Sequence, residues 1–377
     1  MKANEVRAVG RLGTRTFTEA VTHVERVHTA ISTRAFRPAS FVGAPARVTH
    51  DAIAKVVYAC VRGAGKGVGL AAAEVGALVP NTRSTRSAPS ARTMRAQSIL
   101  NAAIGDKLAA TRDPLAIRMT TRVEGEPTPA LAVFVHGLAE DDRSWGHRFG
   151  ARLRADFGFT PVYIRYNTGR HISDNGQELA GVLSDLVATW PTLVDQIILV
   201  GHSMGGLVVR SACHYAVESN APWTPVVTDA FYLGSPQTGA SLERVVSKLG
   251  WALGHLAETR PYADLVNVRS AGIKDLRYGY VIEDDWSGCD ADRCLESHRH
   301  EVELLPRVNH YAVSASVSGV SGRLVGDLLV HPGSARGRLP VDQHRHLEGL
   351  HHFDLLNHPR VYEVMRSWLE AQPSVRL

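Results

Sequence analysis

Apolar positions are spaced in two different ways along the chain, and the change comes near residue 130. Before it the spacing is helical. Phe17, Val21, Val24 and Ile31 predict an amphipathic helix within residues 1–40, broken at Pro38. A second helical stretch, about 50–79, is rich in Ala, Gly and Val and suits close helix packing. Residues 80–95 (PNTRSTRSAPSARTMR) read as an exposed linker, followed by a third helix at about 96–111. After residue 130 the apolar runs are short and nearly continuous: ALAVFVHG (130–137), PVYIRYN (161–167), QIILVGHS (196–203), VTDAFYLGS (227–235) and HYAVSASV (310–317). Stretches of helical character, such as 176–190, separate most of them, and 359–371 reads as a final amphipathic helix. Apolar strands alternating with helices predict an α/β architecture, a mostly parallel sheet buried on both faces. Sites in such a sheet form at the carboxyl ends of the strands.

Composition narrows the classes. With 377 residues, 44% hydrophobic and 21% charged, the chain is neither disordered nor too short to bury a sizeable core. Four cysteines are too few for a disulfide scaffold. The net charge of +5 is unevenly spread. Residues 1–120 hold 18 Lys/Arg against 7 Asp/Glu, or +11, and residues 121–377 hold 24 against 30, or −6. The basic third is expected either to complement the acidic remainder or to make peripheral contact with a membrane surface. Its basic residues are scattered without aromatic interleaving, so nucleic acid is not an expected partner. Met1–Val21 has no apolar signal core, and Gly67–Val79 is too short to span a bilayer. A soluble, cytoplasmic protein is the expectation.

The sharpest chemical signal is Gly201-His202-Ser203-Met204-Gly205-Gly206. It follows the apolar run 197–200 and opens the helical LVVRSACHYAV (207–217), the placement of a nucleophile elbow. A serine hydroxyl there needs a base, an acid that orients it and an oxyanion hole. The run 131–135 ends in His136-Gly137-Leu138, so the backbone N–H groups of Leu138 and Met204 are the expected oxyanion donors, with His136 structural. Asp327, in Gly326-Asp327-Leu328-Leu329-Val330, is the best acid in the chain order Ser, Asp, His. The base falls in His351-His352-Phe353-Asp354, where either adjacent histidine could serve and Asp354 braces the next turn.

These residues resemble the α/β-hydrolase superfamily, in its lipase/esterase branch of GPI inositol-deacylase-like and triacylglycerol-lipase-like serine hydrolases. The resemblance is carried by FVHGL (134–138), RYNTGRHIS (165–173), LVGHSMGGLV (199–208), LGSPQTGASLE (233–243), VGDLLVHPGSA (325–335) and HHFDLLNHPRVY (351–362). It implies an α/β-hydrolase fold over residues 121–377 and a triad of Ser203, Asp327 and His352, with His351 the rival base. Leu328 stands where relatives of the aspartate turn usually carry glycine. The basic, helical region 1–120 lies outside the resemblance.

About 70 residues, 240–309, separate the fourth apolar run from the fifth, far more than an ordinary connection, and predict a cap over the site. Trp286 in this insertion and Trp145 after the first strand are the candidate substrate-binding aromatics. Cys289 and Cys294, with His298 and His300, read as a free or linked thiol pair rather than a zinc site. No cofactor or metal is expected. The expected activity is hydrolysis of a small-molecule or lipid carboxylic ester, with thioesters and amides open to the same triad. A binding module on an inactive hydrolase fold is the expectation from another class.

Overall fold

The computed structural model describes residues 91–146, 148–240, 270–288, 299–317 and 330–371. Among the described residues seven strands form one sheet: β1 Thr120–Val123, β2 Ala130–Val135, β3 Thr160–Arg165, β4 Gln196–His202, β5 Val227–Leu233, β6 Asn309–Ser316 and β7 His344–Glu348. Their order is β1-β3-β2-β4-β5-β6-β7, with β1 antiparallel to β3 and every other pairing parallel.

The helices are α1 Ala91–Ala110, α2 Arg148–Phe157, α3 Ile172–Thr189, α4 Met204–Glu218, α5 Ala271–Tyr278, α6 Pro332–Arg336 and α7 Pro359–Glu370. They cover both faces of the sheet, as the continuous apolar runs require. Along β2, Leu131, Val133 and Val135 join a core with α1, α3 and α4, while Ala132 and Phe134 join one with α2 and α7. The same alternation recurs in β4, where Ile197 and Leu199 face one core and Ile198 and Val200 the other. Burial on both sides removes the need for polar positions in these strands.

The described part of region 1–120 is integral to the domain. Ile99, Leu100, Ala103, Ile104 and Leu108 of α1 are buried in the larger core. Asn101 donates to the Leu115 carbonyl and accepts from the Ile117 amide, and Asn167 donates to the Gly105 carbonyl. The contact is backbone on backbone: a Cβ on Gly169 would lie 2.1 Å from the Asn101 carbonyl oxygen. The boundary expected at residue 120 therefore cuts through a packed core, and residues 91–95 of the expected linker belong to α1. Helix α1 itself bends at Ile104, whose φ of −140° is not helical. The helices expected within 1–79 lie outside the described residues.

Part of the long insertion is described. Helix α5 docks on α1 and α3. Ser270 caps it and donates to the Ala102 carbonyl, and buried Asp275 accepts from His171 Nδ1 at 3.0 Å and from the Ile172 amide at 2.8 Å. Among the described residues no helix is long and apolar enough to cross a membrane.

Candidate active site

Strand β4 ends at His202, and α4 begins at Met204. Ser203 makes the whole turn between them, at φ 52° and ψ −123°. That region is costly for a residue with a Cβ, about 1–3 kcal/mol, and persists only where the surroundings enforce it. Here Ser203 donates its amide to the Leu233 carbonyl at 2.8 Å, and its own carbonyl accepts from the Gly206 amide. The glycines let the helix approach the sheet: a Cβ on Gly205 would sit 2.1 Å from the Val135 oxygen. Nothing larger fits at that position, which is why the turn can be this tight. The first-turn amides of α4, Met204 among them, have no acceptor within the helix.

The opposite wall is the loop after β2. Gly137 donates its amide to Glu140 Oε2 at 2.7 Å, Glu140 donates its amide to the Gly137 carbonyl, and Ala139 donates to Thr168 Oγ1. The Leu138 amide between them has no acceptor among the described residues. This loop lies against the elbow, since a Cβ on Gly137 would fall 2.9 Å from Ser203 Cβ. His136 is fully buried, stacked 4.5 Å from the Tyr166 ring, and burial pushes its imidazole below the ordinary value. It is a structural residue of the turn, as expected.

His352 and His351 separate clearly. His351 is exposed, and its amide donates to Asp354 Oδ2 at 2.7 Å, so Asp354 caps the short helix His352–Leu356. His352 is buried, its ring 4.7 Å from that of His202. A Cβ on Gly234, the residue after the Leu233 that holds Ser203, would lie 3.1 Å from the His352 ring. The imidazole at 352 is thus beside the elbow. Asp327 lies outside the described residues.

Two residues of the site were not anticipated. Glu140 Oε2 lies 3.0 Å from His202 Nδ1, both groups fully enclosed, and His202 Nε2 lies 3.1 Å from the His352 carbonyl oxygen. Both ring nitrogens of His202 face acceptors. Burial alone would raise the Glu140 carboxyl. The charge and hydrogen bond of His202 and the Gly137 amide outweigh it and hold the group at about 2. The pair ties three parts of the site together: the loop after β2, the elbow and the backbone of His352.

Of the two candidate aromatics, Trp145 is wholly buried, 5.0 Å from the Phe134 ring and edge-on to His202 at 6.2 Å. It is packed in the core behind the elbow histidine. Trp286 stacks on His171 at 3.7 Å and donates its Nε1 proton to Ser173 Oγ at 3.0 Å. It fastens the insertion to the start of α3. Cys289, Cys294 and His298 lie outside the described residues, and His300 Nδ1 contacts Asp285 at 3.1 Å.

A seven-stranded, mostly parallel sheet with one antiparallel edge, helices on both faces and a serine on a strained strand-to-helix turn make this an α/β-hydrolase fold. Residues 167–308 match the family model of the PGAP1-like alpha/beta domain. The family resemblance expected from the motifs is met in the architecture and in that segment. Among solved structures the chain is similar to the Bacillus licheniformis lipase BlEst2 in mature form, at 21% identity over 67% of this chain and 98% of that one, TM-score 0.45. It is also similar to the esterase RhEst1 from Rhodococcus sp. ECU1013, at 17% identity over 68% and 94%, TM-score 0.44. A third is a lipase-esterase related protein from Clostridium acetobutylicum, at 13% identity over 67% and 99%, TM-score 0.41. No curated protein matches the chain.

Proposed function

We propose that the protein is a serine hydrolase of carboxylic esters, with Ser203 as nucleophile and His352 as general base. The observation that carries this reading is the strained Ser203 turn with the buried His352 imidazole against Gly234 beside it. In the reaction His352 takes the Ser203 proton as Oγ attacks the ester carbonyl. The oxyanion is received by the amides of Leu138 and Met204. His352 returns the proton to the departing alcohol, and water then releases the acid from the acyl-enzyme by the same steps. The sequence motif supports Asp327 as the carboxylate that orients His352. Trp145 contributes by packing behind the elbow, and Trp286 by holding the insertion in place.

The natural substrate is a small-molecule or lipid ester. An active-site phosphonate tests the nucleophile. It is expected to label the wild-type chain once and to leave Ser203→Ala unlabelled, with ester turnover falling by about 10³-fold or more. Equal labelling of the Ala variant refutes the assignment. A chain-length series of p-nitrophenyl esters, read as kcat/KM, then separates an esterase preferring short acyl chains from a lipase preferring long ones.

A further inference from the structure

Away from the elbow, beside α4, lies a cavity of about 220 Å³ that several arginine side chains line. Its floor includes Arg210, two turns into α4 and roughly 10 Å along the helix from Ser203. Arg210 donates Nη1 to Gln237 Oε1 at 2.9 Å and Nη2 to the Val302 carbonyl at 2.8 Å, both neutral acceptors. Its Nε is buried with no partner. A guanidinium keeps its charge, and burying one without an anion is costly. Gln237 repeats the pattern. Its side-chain oxygen faces Arg210 and its carbonyl accepts from Arg299 at 2.8 Å, which leaves the buried Nε2 amide as a donor without an acceptor.

The rim adds charge of the same sign. Arg299, Arg336 and Arg338 line the cavity with Glu301 and Glu303. Arg338 pairs with Glu301, whereas Arg299 and Arg336 meet no carboxylate among the described residues. Four arginines against two glutamates leave an excess of two positive charges. His300 is directed to Asp285.

We infer that this cavity binds a phosphate group, free or carried on a small molecule, through Arg210, Gln237, Arg299 and Arg336. A dianion balances the two excess charges. A tetrahedral group with three terminal oxygens sharing that charge can use more of the unpaired donors than a carboxylate can. The volume is below the roughly 300–1,000 Å³ of drug-sized sites, which suits a phosphate or a small phosphate ester and is too small for a long acyl chain. This site is distinct from the catalytic one and does not depend on the reading of Ser203.

The test uses the full chain at constant ionic strength, with inorganic phosphate and glycerol phosphate titrated calorimetrically and chloride as the control. One saturable site is expected for at least one probe. Its affinity should fall by about tenfold or more in the double variant R299Q/R336Q, and in the same direction in R336Q alone, an exposed position that leaves the Arg299 bond to Gln237 in place and whose melting temperature without phosphate should match the wild type. Tighter binding of glycerol phosphate identifies a phosphate ester as the ligand type, and preference for inorganic phosphate identifies the free ion. Glu303→Gln is expected to tighten binding by removing a like charge from the rim. No saturable binding of either probe at millimolar concentration, or unchanged binding in the double variant, overturns the inference.

Discussion

At the scale of single residues, the Glu140–His202 pair links the loop after β2, the elbow and the His352 backbone. Glu140 accepts from two donors with one oxygen, and one of these belongs to the ring that also bonds the His352 backbone. Removing the carboxylate leaves the buried Gly137 amide and His202 ring nitrogen without their partner, at about 1–3 kcal/mol each. Gln keeps the shape and an oxygen for both donors but not the charge, so it costs less. Urea unfolding should therefore rank wild type above Glu140→Gln above Glu140→Ala. Equal midpoints for the two variants would show that the hydrogen bonds kept by Gln contribute nothing beyond the charge. The pH dependence has a defined sign. The Glu140 carboxyl is held at about 2, below its ordinary 4.5. Its contribution is complete above the unfolded value and disappears as the pH falls toward 2. Acid unfolding of Glu140→Gln should accordingly be shallower over that window. Of the site, Ser203 was legible because the elbow needs a fixed spacing of glycines around one serine. Glu140 was not, because a buried carboxylate and a solvated turn carboxylate look the same in a sequence. His202 sat in plain view inside the motif, but only its neighbours in space give it a role.

At the scale of elements, the five central strands were legible because each is apolar on both faces, and all five lie where the runs predicted. The predicted runs extend one or two residues past the strand ends, into the turns that follow. The two edge strands were not legible. β1 is TTRV with three of its four residues exposed, and β7 is HRHLE with one buried residue. An edge strand has solvent on one side and carries no apolar run. β7 is held partly by side chains, with Ser314 between His344 Nε2 and His346 Nδ1 at 2.8 and 2.9 Å. Helix α1 was legible as a helix but not as part of the domain, since its partner is a loop of backbone atoms around Gly169. That contact yields a contrast between two glycines. Gly169→Ala puts a methyl 2.1 Å from a carbonyl oxygen that cannot move without breaking the α1 contact. It should destabilise by about 1–3 kcal/mol. Gly181, exposed in α3, has nothing within 4 Å of an added Cβ. Gly181→Ala should stabilise by about 0.5–1 kcal/mol through helix propensity. Denaturant midpoints moving in the same direction for both would show that α1 is not docked there.

For the molecule as a whole, the question is how the insertion is held on the hydrolase core, because its described part reaches α1 and α3 as well as its own neighbours. Three contacts converge at the start of α3: the Asp275–His171 pair, the Trp286–His171 stack and the Trp286–Ser173 hydrogen bond. His171 is shared by two of them. Burial disfavours its charge, but the hydrogen bond and charge of Asp275, with Asp174 and Asp106 nearby, outweigh that and raise its value above 6.5. Asp275 is raised as well, since its deep burial exceeds the pull of His171. The pair is therefore ionised between the two raised values. A histidine raised on folding stabilises below its unfolded value and loses that contribution as the pH rises through the folded one. The insertion should thus be held most firmly on the acidic side of that transition and loosen above it. Trp286 reports this directly, because a protonated imidazole stacked on an indole quenches its fluorescence. The wild-type emission should rise across the transition, and both His171→Phe and Trp286→Phe should remove that rise. In His171→Phe, proteolysis of the insertion should lose its pH dependence while the core strands stay protected. A fluorescence transition that survives His171→Phe would place the titrating group elsewhere and release the insertion from this contact.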